Sequence, residues 1–409
     1  MSYCQKLAEY AHFGIHLGLE RILNLLHRLG NPHLQVPTIH IAGTNGKGSV
    51  CAFLSTILSK AGYRVGRYIS PHLLDWRERI TINGQWISPS AMDGLLAEVE
   101  SAIDPQYYPT QFEVITAVAW LYFARQQVDI AVIETGLGGR LDATNVHPQP
   151  LVTAITSISR DHWQRLGDSL AKIAYEKAGI IKSGRPVVIC ELPPEPLQVI
   201  TERAQQLNAP LIQVERATAQ GNHLVWRNYT YACSLQGEHQ QLNSAIALGV
   251  ITELRQQGWA IGDEAIVQGL EQTQWAGRLQ WVEWHKHRIL IDGAHNVGAA
   301  QYLRQFVDSY FAQESVTWIV GIIATKDPQG ILSTLLRAQD RLMAVTVPDH
   351  QTIPPSRLAD IARPLISSPP LACSSLEEAL GKVEGNTVVC GSLYLIGYFL
   401  SLLASRSEY

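Results

Sequence analysis

The sequence has little that would suit an extracellular or nucleic-acid-binding protein. Its six cysteines, Cys4, Cys51, Cys190, Cys233, Cys373 and Cys390, are scattered, with no C-x-x-C pair. Neither a zinc knuckle nor a disulfide framework is indicated, and a reducing cytoplasm is the expected setting. There is no basic excess: 32 Lys and Arg stand against 36 Asp and Glu, a net charge of −4. Bulk nucleic-acid binding is therefore not expected. The N-terminus, MSYCQKLAEYAHFG, lacks the basic-then-apolar layout of a secretion signal. Only 17% of the residues are charged and 46% are hydrophobic, so 409 residues offer material for packed cores in about two or three domains. One uncharged stretch, 386–405, approaches the length of a membrane span. It divides into a β-branched run, then Gly391-Ser392, then the apolar run 393–404. A buried strand followed by a helix explains this better, so no membrane partner is expected.

What is present is a rhythm of short apolar runs and helical ones. Leu19, Ile22, Leu23, Leu26 and Leu29 recur at helical spacing, and Gly30-Asn31-Pro32 ends that helix. Strands are expected at 36–42, 64–70, 129–135, 151–157 and 186–190. Helices are expected at 49–60, 89–103, 113–127, 169–180 and 195–207. Residues 223–234 read as a separate β-hairpin. A second series has strands at 288–292, 316–321, 341–347 and 387–390, with helices that include 297–311 and 376–383. The fold class is α/β: a mostly parallel sheet with helices on both faces, then a smaller α/β domain. The boundary falls near 275–286, giving domains of 1–280 and 281–409. A cleft between two such domains is a common ligand site.

Four segments carry candidate chemistry. Gly43-Thr44-Asn45-Gly46-Lys47-Gly48-Ser49 lies between an expected strand and helix. Such a loop presents backbone N–H groups to phosphate, helped by the positive helix N-terminus, and Lys47 can reach the β/γ-phosphates. The strict G-x-x-x-x-G-K-[ST] pattern is not met, because Ile41 sits at the first Gly position and Gly48 follows the Lys. The second segment is a strand ending in Glu134, a carboxylate suited to Mg²⁺ beside a phosphate loop. It continues as a run with three glycines and an Arg-Asp pair, Arg140 and Asp142. The third is Asp161-His162 at a strand end. His162 is as readily structural as a ligand on this pattern, and the later Glu176-Lys177 reads as a solvated face. The fourth is Asp292-Gly293-Ala294-His295-Asn296, at the ligand side of a strand. Arg278 in the boundary segment and Lys326-Asp327 after another strand end complete the set.

Taken together these segments resemble one family. GTNGKGS, Ser70-Pro71-His72, ETGLGGRLDATN (134–145), DHxxxLG (161–167), EKAGIIK, Gly237-x-His239-Gln240-x-x-Asn243 and DGAHN match the folylpolyglutamate synthase/dihydrofolate synthase family of the Mur-ligase superfamily. The matches run in order from residue 43 to about residue 393. The resemblance implies an N-terminal P-loop ATPase domain, a smaller C-terminal Rossmann-like domain, and an active site between them. It implies that ATP phosphorylates a pteroate or folate carboxylate and that glutamate then forms the amide.

Residue roles follow from the same resemblance. Gly43, Thr44, Asn45, Gly46, Lys47, Gly48 and Ser49 would bind ATP, with Asn243, Arg278, Asp292 and His295 as further nucleotide contacts. Ser70 and Glu134 would hold one Mg²⁺ and His162 a second. Lys177 matches a lysine carbamylated in the family, and Lys47, His162 and Lys177 form the expected catalytic set. Phe112, Arg140 and Asp142 resemble the pterin-side pocket, and Lys326 and Asp327 the C-terminal domain's substrate face. K⁺ is a further cofactor suggested by resemblance only. A cytoplasmic monomer acting on small molecules is expected, whether bifunctional or a folylpolyglutamate synthase alone. A nucleotide-regulated binding protein is the remote alternative, and it leaves His162, Lys177 and DGAHN unexplained. One departure follows Asn296, where the family usually has Pro and this chain has Val297. That weakens the preset helix entry angle without removing the site.

Overall fold

The run Thr-Ile-His-Ile-Ala at Thr38–Ala42 is buried along its whole length, so it forms an interior strand of a sheet. The computed structural model describes residues 2–11, 14, 16–312 and 314–406. In chain order the large sheet contains β1 (Thr38–Ala42), β2 (Val65–Tyr68), β3 (Ile80–Ile82), β4 (Gln85–Trp86), β5 (Ile130–Glu134), β6 (Val152–Ile155), β7 (Val187–Ile189) and β8 (Leu211–Gln213). Their spatial order is β4-β3-β2-β5-β1-β6-β7-β8. Every neighbouring pair is parallel except β2–β3 and β3–β4. The β3–β4 hairpin turns at Asn83-Gly84, both with positive φ (47° and 78°), the backbone that an Asn-Gly hairpin turn requires.

Helices cover this sheet through two hydrophobic clusters. Glu20–Arg28, Pro89–Ser101 and Gln111–Arg125 build one, and Leu170–Ala178 and Pro194–Gln206 build the other with β6 and β7. Gln111–Arg125 starts with a capping box: Thr110 Oγ1 accepts from the Glu113 amide at 3.3 Å, and Glu113 Oε2 accepts from the Thr110 amide at 2.7 Å. The expected hairpin at 223–234 is part of a three-stranded antiparallel sheet, β9 (Thr218–Gln220), β10 (His223–Trp226) and β11 (Tyr229–Tyr231). All three β9 residues are exposed, so no apolar alternation marks that strand in the sequence.

The chain divides into two compact units. One comprises Met1–Ser159, Trp163–Ser234 and Gln240–Gln274; the other comprises Arg160–His162, Leu235–His239 and Trp275–Tyr409. The second unit has its own sheet of β12 (Gln280–Trp284), β13 (His287–Ile291), β14 (Thr317–Val320), β15 (Arg341–Ala344), β16 (Leu371–Ala372) and β17 (Thr387–Cys390). Its order is β12-β13-β17-β14-β15-β16, with only β12–β13 antiparallel. The stretch 275–286, read as a boundary, holds β12, and the units part between Gln274 and Trp275. The uncharged stretch is β17 followed by the helix Leu393–Arg406, and among the described residues no helix is long and apolar enough to cross a membrane.

Two buried histidines make the first unit acid-sensitive. Burial lowers His33 to about 4 and His40 to about 3, reinforced by the His147 ring at His33 and by Lys182, then His147, at His40. The unfolded chain protonates such groups near 6.5, so it takes up protons before the folded chain does. The contribution to stability is complete above that pH and is lost as pH falls toward the folded values. At about pH 5 each histidine costs about 2 kcal/mol. Urea unfolding at about pH 7.5 and about pH 5 is expected to show this loss. His33→Phe should shrink it by about 2 kcal/mol; an unchanged pH dependence in that variant would mean the His33 ring is charged in the folded state.

Candidate active site

β1 ends where the connections diverge. Its crossover helix, Lys47–Lys60, leads to β2 on one side, while β6, β7 and β8 lie on the other. Such a switch point leaves a crevice at the strand ends. The loop 43–46 fills it and is held by the neighbouring strand end. Thr44 N–H donates to Ser157 O at 2.8 Å, Asn45 N–H to Ser157 Oγ at 3.0 Å, and Thr156 Oγ1 to Asn45 O at 2.6 Å. These two side chains were not foreseen; polar residues closing the apolar β6 run were their only signal. Glycine is required twice. At Gly43 (φ 152°) a Cβ would lie 1.9 Å from Thr156 Oγ1, and at Gly46 (φ 88°) 2.3 Å from Asn243 Oδ1. The leading amides of the helix Lys47–Lys60 have no partner within the helix and are available to an anion.

Lys47 folds back over this loop. Its Nζ donates to Gly43 O at 3.1 Å and Thr44 O at 3.3 Å, and stands 3.9 Å from Glu134 Oε1. Glu134, at the end of β5, is 5% exposed and accepts from the Ser70 amide at 3.4 Å. Lys47, Glu134 and Ser70 are thus brought together. Asn243 Nδ2 donates to Gln240 Oε1 at 2.9 Å, and Gln240 Nε2 reaches Ser49 Oγ at 3.5 Å. This places Asn243 beside the phosphate loop.

Lys177 is not on a solvated face. It is 4% exposed, and its Nζ donates to Gly43 O at 2.8 Å. Its neighbour Glu176 binds the Arg140 guanidinium at 2.9 Å, and Glu176 O accepts from the Arg140 amide at 2.7 Å. The Glu-Lys face was misread because helical spacing alone does not say which side meets a glycine-rich loop. Here Gly139 and Gly179 allow that approach: a Cβ on Gly139 would lie 2.9 Å from Glu176 O, and one on Gly179 2.2 Å from Arg140 Cβ. Phe112 lies against Gly136, whose Cβ would fall 2.4 Å from the ring. The Asp142 carboxylate is occupied within its own loop, accepting from the Leu137 amide at 2.6 Å and the Thr144 amide at 3.0 Å. Burial pushes its pKa up, and these hydrogen bonds oppose that.

The second unit gathers a different set, centred on Asp161. Lys326 Nζ donates to Asp161 Oδ1 at 2.6 Å, Asn296 Nδ2 to Asp161 Oδ2 at 3.1 Å, and His295 Nε2 stands 3.5 Å from Oδ2. The His162 ring lies 3.4 Å from Lys326 Nζ. Burial alone would push the Asp161 carboxyl up. The hydrogen bond and charge of His295, then the charges of Lys326 and His162, outweigh it and hold the group well below the usual carboxylate range. Asp292 accepts from the Leu279 amide, which precedes β12, at 2.9 Å and from the Ala294 amide of its own loop at 2.8 Å; burial raises its pKa against the nearby Arg278 charge. Arg278 also lies against Gly293. Asp327 caps the helix Pro328–Leu335 by accepting from the Gly330 amide at 3.0 Å. Asn296 Oδ1 accepts from Ala299 N–H at 2.9 Å, so the helix Val297–Tyr310 is capped without the missing Pro.

The three expected metal ligands are therefore not all in one unit. Ser70 and Glu134 adjoin in the first, and His162 belongs to the second. Among the described residues no group of three or more His, Cys, Asp or Glu could by itself hold a metal.

Comparison with known proteins gives this arrangement a family. Residues 41–251 match the Mur ligase middle domain, and residues 277–402 match the dihydrofolate synthetase C-terminal domain. The dihydrofolate synthase/folylpolyglutamate synthase of Bacillus subtilis (strain 168) is 38% identical over 343 residues, 79% of each chain. The Escherichia coli (strain K12) protein of the same name is 33% identical over 415 residues, 99% of this chain and 95% of that one. The structure of E. coli FolC in complex with DHPP and ADP is similar with a TM-score of 0.89 at 30% identity, covering 100% of this chain and 99% of that chain. Folylpolyglutamate synthase from Thermotoga maritima gives 0.83 at 35% identity, covering 99% and 97%. The chain belongs to the dihydrofolate synthase/folylpolyglutamate synthase family, built on the Mur ligase middle domain.

Proposed function

We propose that this protein is an ATP-dependent ligase that adds L-glutamate to dihydropteroate and to folates, releasing ADP and phosphate. The observation that carries this reading is the glycine loop 43–46, with Lys47 laid across it and Glu134 3.9 Å away. Both roles, synthase and extender, are favoured because the B. subtilis and E. coli relatives carry both names.

The chemistry follows from a poor leaving group. A carboxylate does not expel oxide when an amine attacks. Transfer of the γ-phosphoryl from ATP to the carboxylate oxygen gives an acyl phosphate and ADP. The glutamate amine then forms the C–N bond, phosphate departs, and the amine loses a proton. Little covalent work falls to the protein, so positioning and charge dominate. The helix amides and Lys47 would offset charge on the phosphoryl oxygens. Ser70 and Glu134 offer hard oxygen donors of the kind Mg²⁺ takes alongside water and phosphate, with His162 assigned to a second ion. Mg²⁺ bound there would draw charge from the bridging phosphate oxygens. Asn243, Arg278, Asp292 and His295 are assigned to the nucleotide. Asp292 would act through its two backbone partners. Phe112 and the Arg140–Asp142 segment are assigned to the pterin side, and Lys326 and Asp327 to the glutamate-ligase face of the C-terminal domain. A requirement for K⁺ belongs to the same reading, checked by comparing rates in K⁺ and Na⁺ buffers. All six cysteines are free, which suits a cytoplasmic setting; a monomer is proposed alongside it.

Lys177 joins this machinery as a carbamate. Addition of CO₂ to its Nζ would turn a cation into an oxygen donor for Mg²⁺ while leaving one N–H for Gly43 O. Intact-mass measurement in bicarbonate is expected to show a labile adduct that Lys177→Ala lacks; no adduct, together with full activity in that variant, would remove the idea.

ADP release with Mg-ATP and glutamate tests the main reading, with dihydropteroate in one reaction, tetrahydrofolate in a second and no pterin in a third. Glutamate should be added in the first two and not the third. Addition to tetrahydrofolate alone would leave an extender, and turnover indifferent to pterin and glutamate would favour a nucleotide-driven switch. Lys47→Ala should lower kcat by at least about a thousandfold, since the transferring group loses its cationic partner. A near-normal kcat would take Lys47 out of the mechanism.

A further inference from the structure

Beneath the loop 135–145 runs a buried hydrogen-bond chain from β1 to Asp142. His40 lies on β1, is 3% exposed, and places Nε2 2.8 Å from Thr144 Oγ1. Thr144 is 1% exposed and reaches Asp142 Oδ1 through its hydroxyl at 2.5 Å and through its amide at 3.0 Å. The other Asp142 oxygen accepts from the Leu137 amide at 2.6 Å. An ionised carboxylate only accepts. The Thr144 hydroxyl therefore gives its single proton to Asp142, and its oxygen receives one from His40. With the carboxylate ionised, His40 donates from a protonated Nε2.

The far end of the chain is a specific piece of backbone. Leu137 follows Gly136, the residue packed against the Phe112 ring. The phosphate loop has separate supports in Thr156, Ser157 and Lys177. We infer that His40 is a positioning residue for the acceptor acid: through Thr144 and Asp142 it sets the backbone beside Phe112, and it does so without governing nucleotide affinity. The inference rests on the assignment of Phe112 and its loop to the pterin side.

Two removals and two conservative replacements test it. His40→Phe and Thr144→Val take away the donor and the relay. His40→Gln and Thr144→Ser keep an N–H and a hydroxyl in place. The first pair should raise KM for dihydropteroate by about tenfold or more, while the Kd for ATP by calorimetry stays within about twofold. The second pair should stay within about threefold of the parent in KM. Because the groups act in series, the double variant His40→Phe/Thr144→Val should be no worse than Thr144→Val alone. Folded variants with unchanged KM would overturn the inference. So would a parallel loss of ATP affinity, which marks a general structural defect, or effects that multiply in the double variant. If a removal variant does not fold, ¹⁵N NMR of the parent protein decides: a proton on Nδ1 rather than Nε2 contradicts the relay. Phe112→Ala separates the two layers. If it leaves KM unchanged, the pterin-side assignment fails and the inference with it. If it raises KM while the relay variants do not, the relay alone is wrong.

Discussion

Before CO₂ adds to Lys177, two lysine Nζ atoms meet at one carbonyl. Lys47 and Lys177 both donate to Gly43 O, at 3.1 and 2.8 Å. Lys177 is almost completely buried, and Lys47 is largely so. Holding two like charges around one oxygen in a low-dielectric site is unfavourable unless anions share the space. Glu134 supplies one fixed negative charge near Lys47. Much of the first unit can be understood as the frame that holds this arrangement: Thr156 against Gly43, Asn243 against Gly46, and the Leu170–Ala178 helix drawn close enough for Lys177 to reach.

The frame works because parallel strands end together. β5, β1 and β6 lie side by side, so Glu134, the phosphate loop and Thr156-Ser157 arise from adjacent strand ends. The second unit repeats the device at smaller scale. There the ends of β13 and β14 lead into segments that bring Asn296, His295 and Lys326 onto a single carboxylate, Asp161. In both units the side chains that could meet a ligand are tied first to each other, and that limits the reorganisation needed when one binds.

Much of this could be read from the sequence because hydrophobic runs and turn residues are local signals. The strand ending in Ala42, the helix beginning at Lys47 and the strand ending in Glu134 are fixed by patterns within about ten residues of themselves. The clearest misreading arises because the deciding partner is distant. Lys177 looks solvated until Gly43, 134 positions away, is packed on it. Asp292 is tied to the Leu279 amide, 13 positions away and before the neighbouring strand β12. β9 has no hydrophobic alternation, since its three side chains are exposed. β12 was hidden in a segment read as a boundary, although its antiparallel turn at His285 (φ 52°) is local.

Asn296 shows how tightly residue choice can be restricted by a small amide. Its oxygen caps the Val297–Tyr310 helix and its nitrogen holds Asp161. The two ends have opposite polarity and each is committed, so the group has one permitted orientation. Aspartate in its place would still cap the helix but would set a second negative charge against Asp161. Serine would still cap and would be too short to make the second bond. The helix entry therefore doubles as a polarity-coded latch, and Val297 can stand where a proline would otherwise preset the chain because the latch already does so.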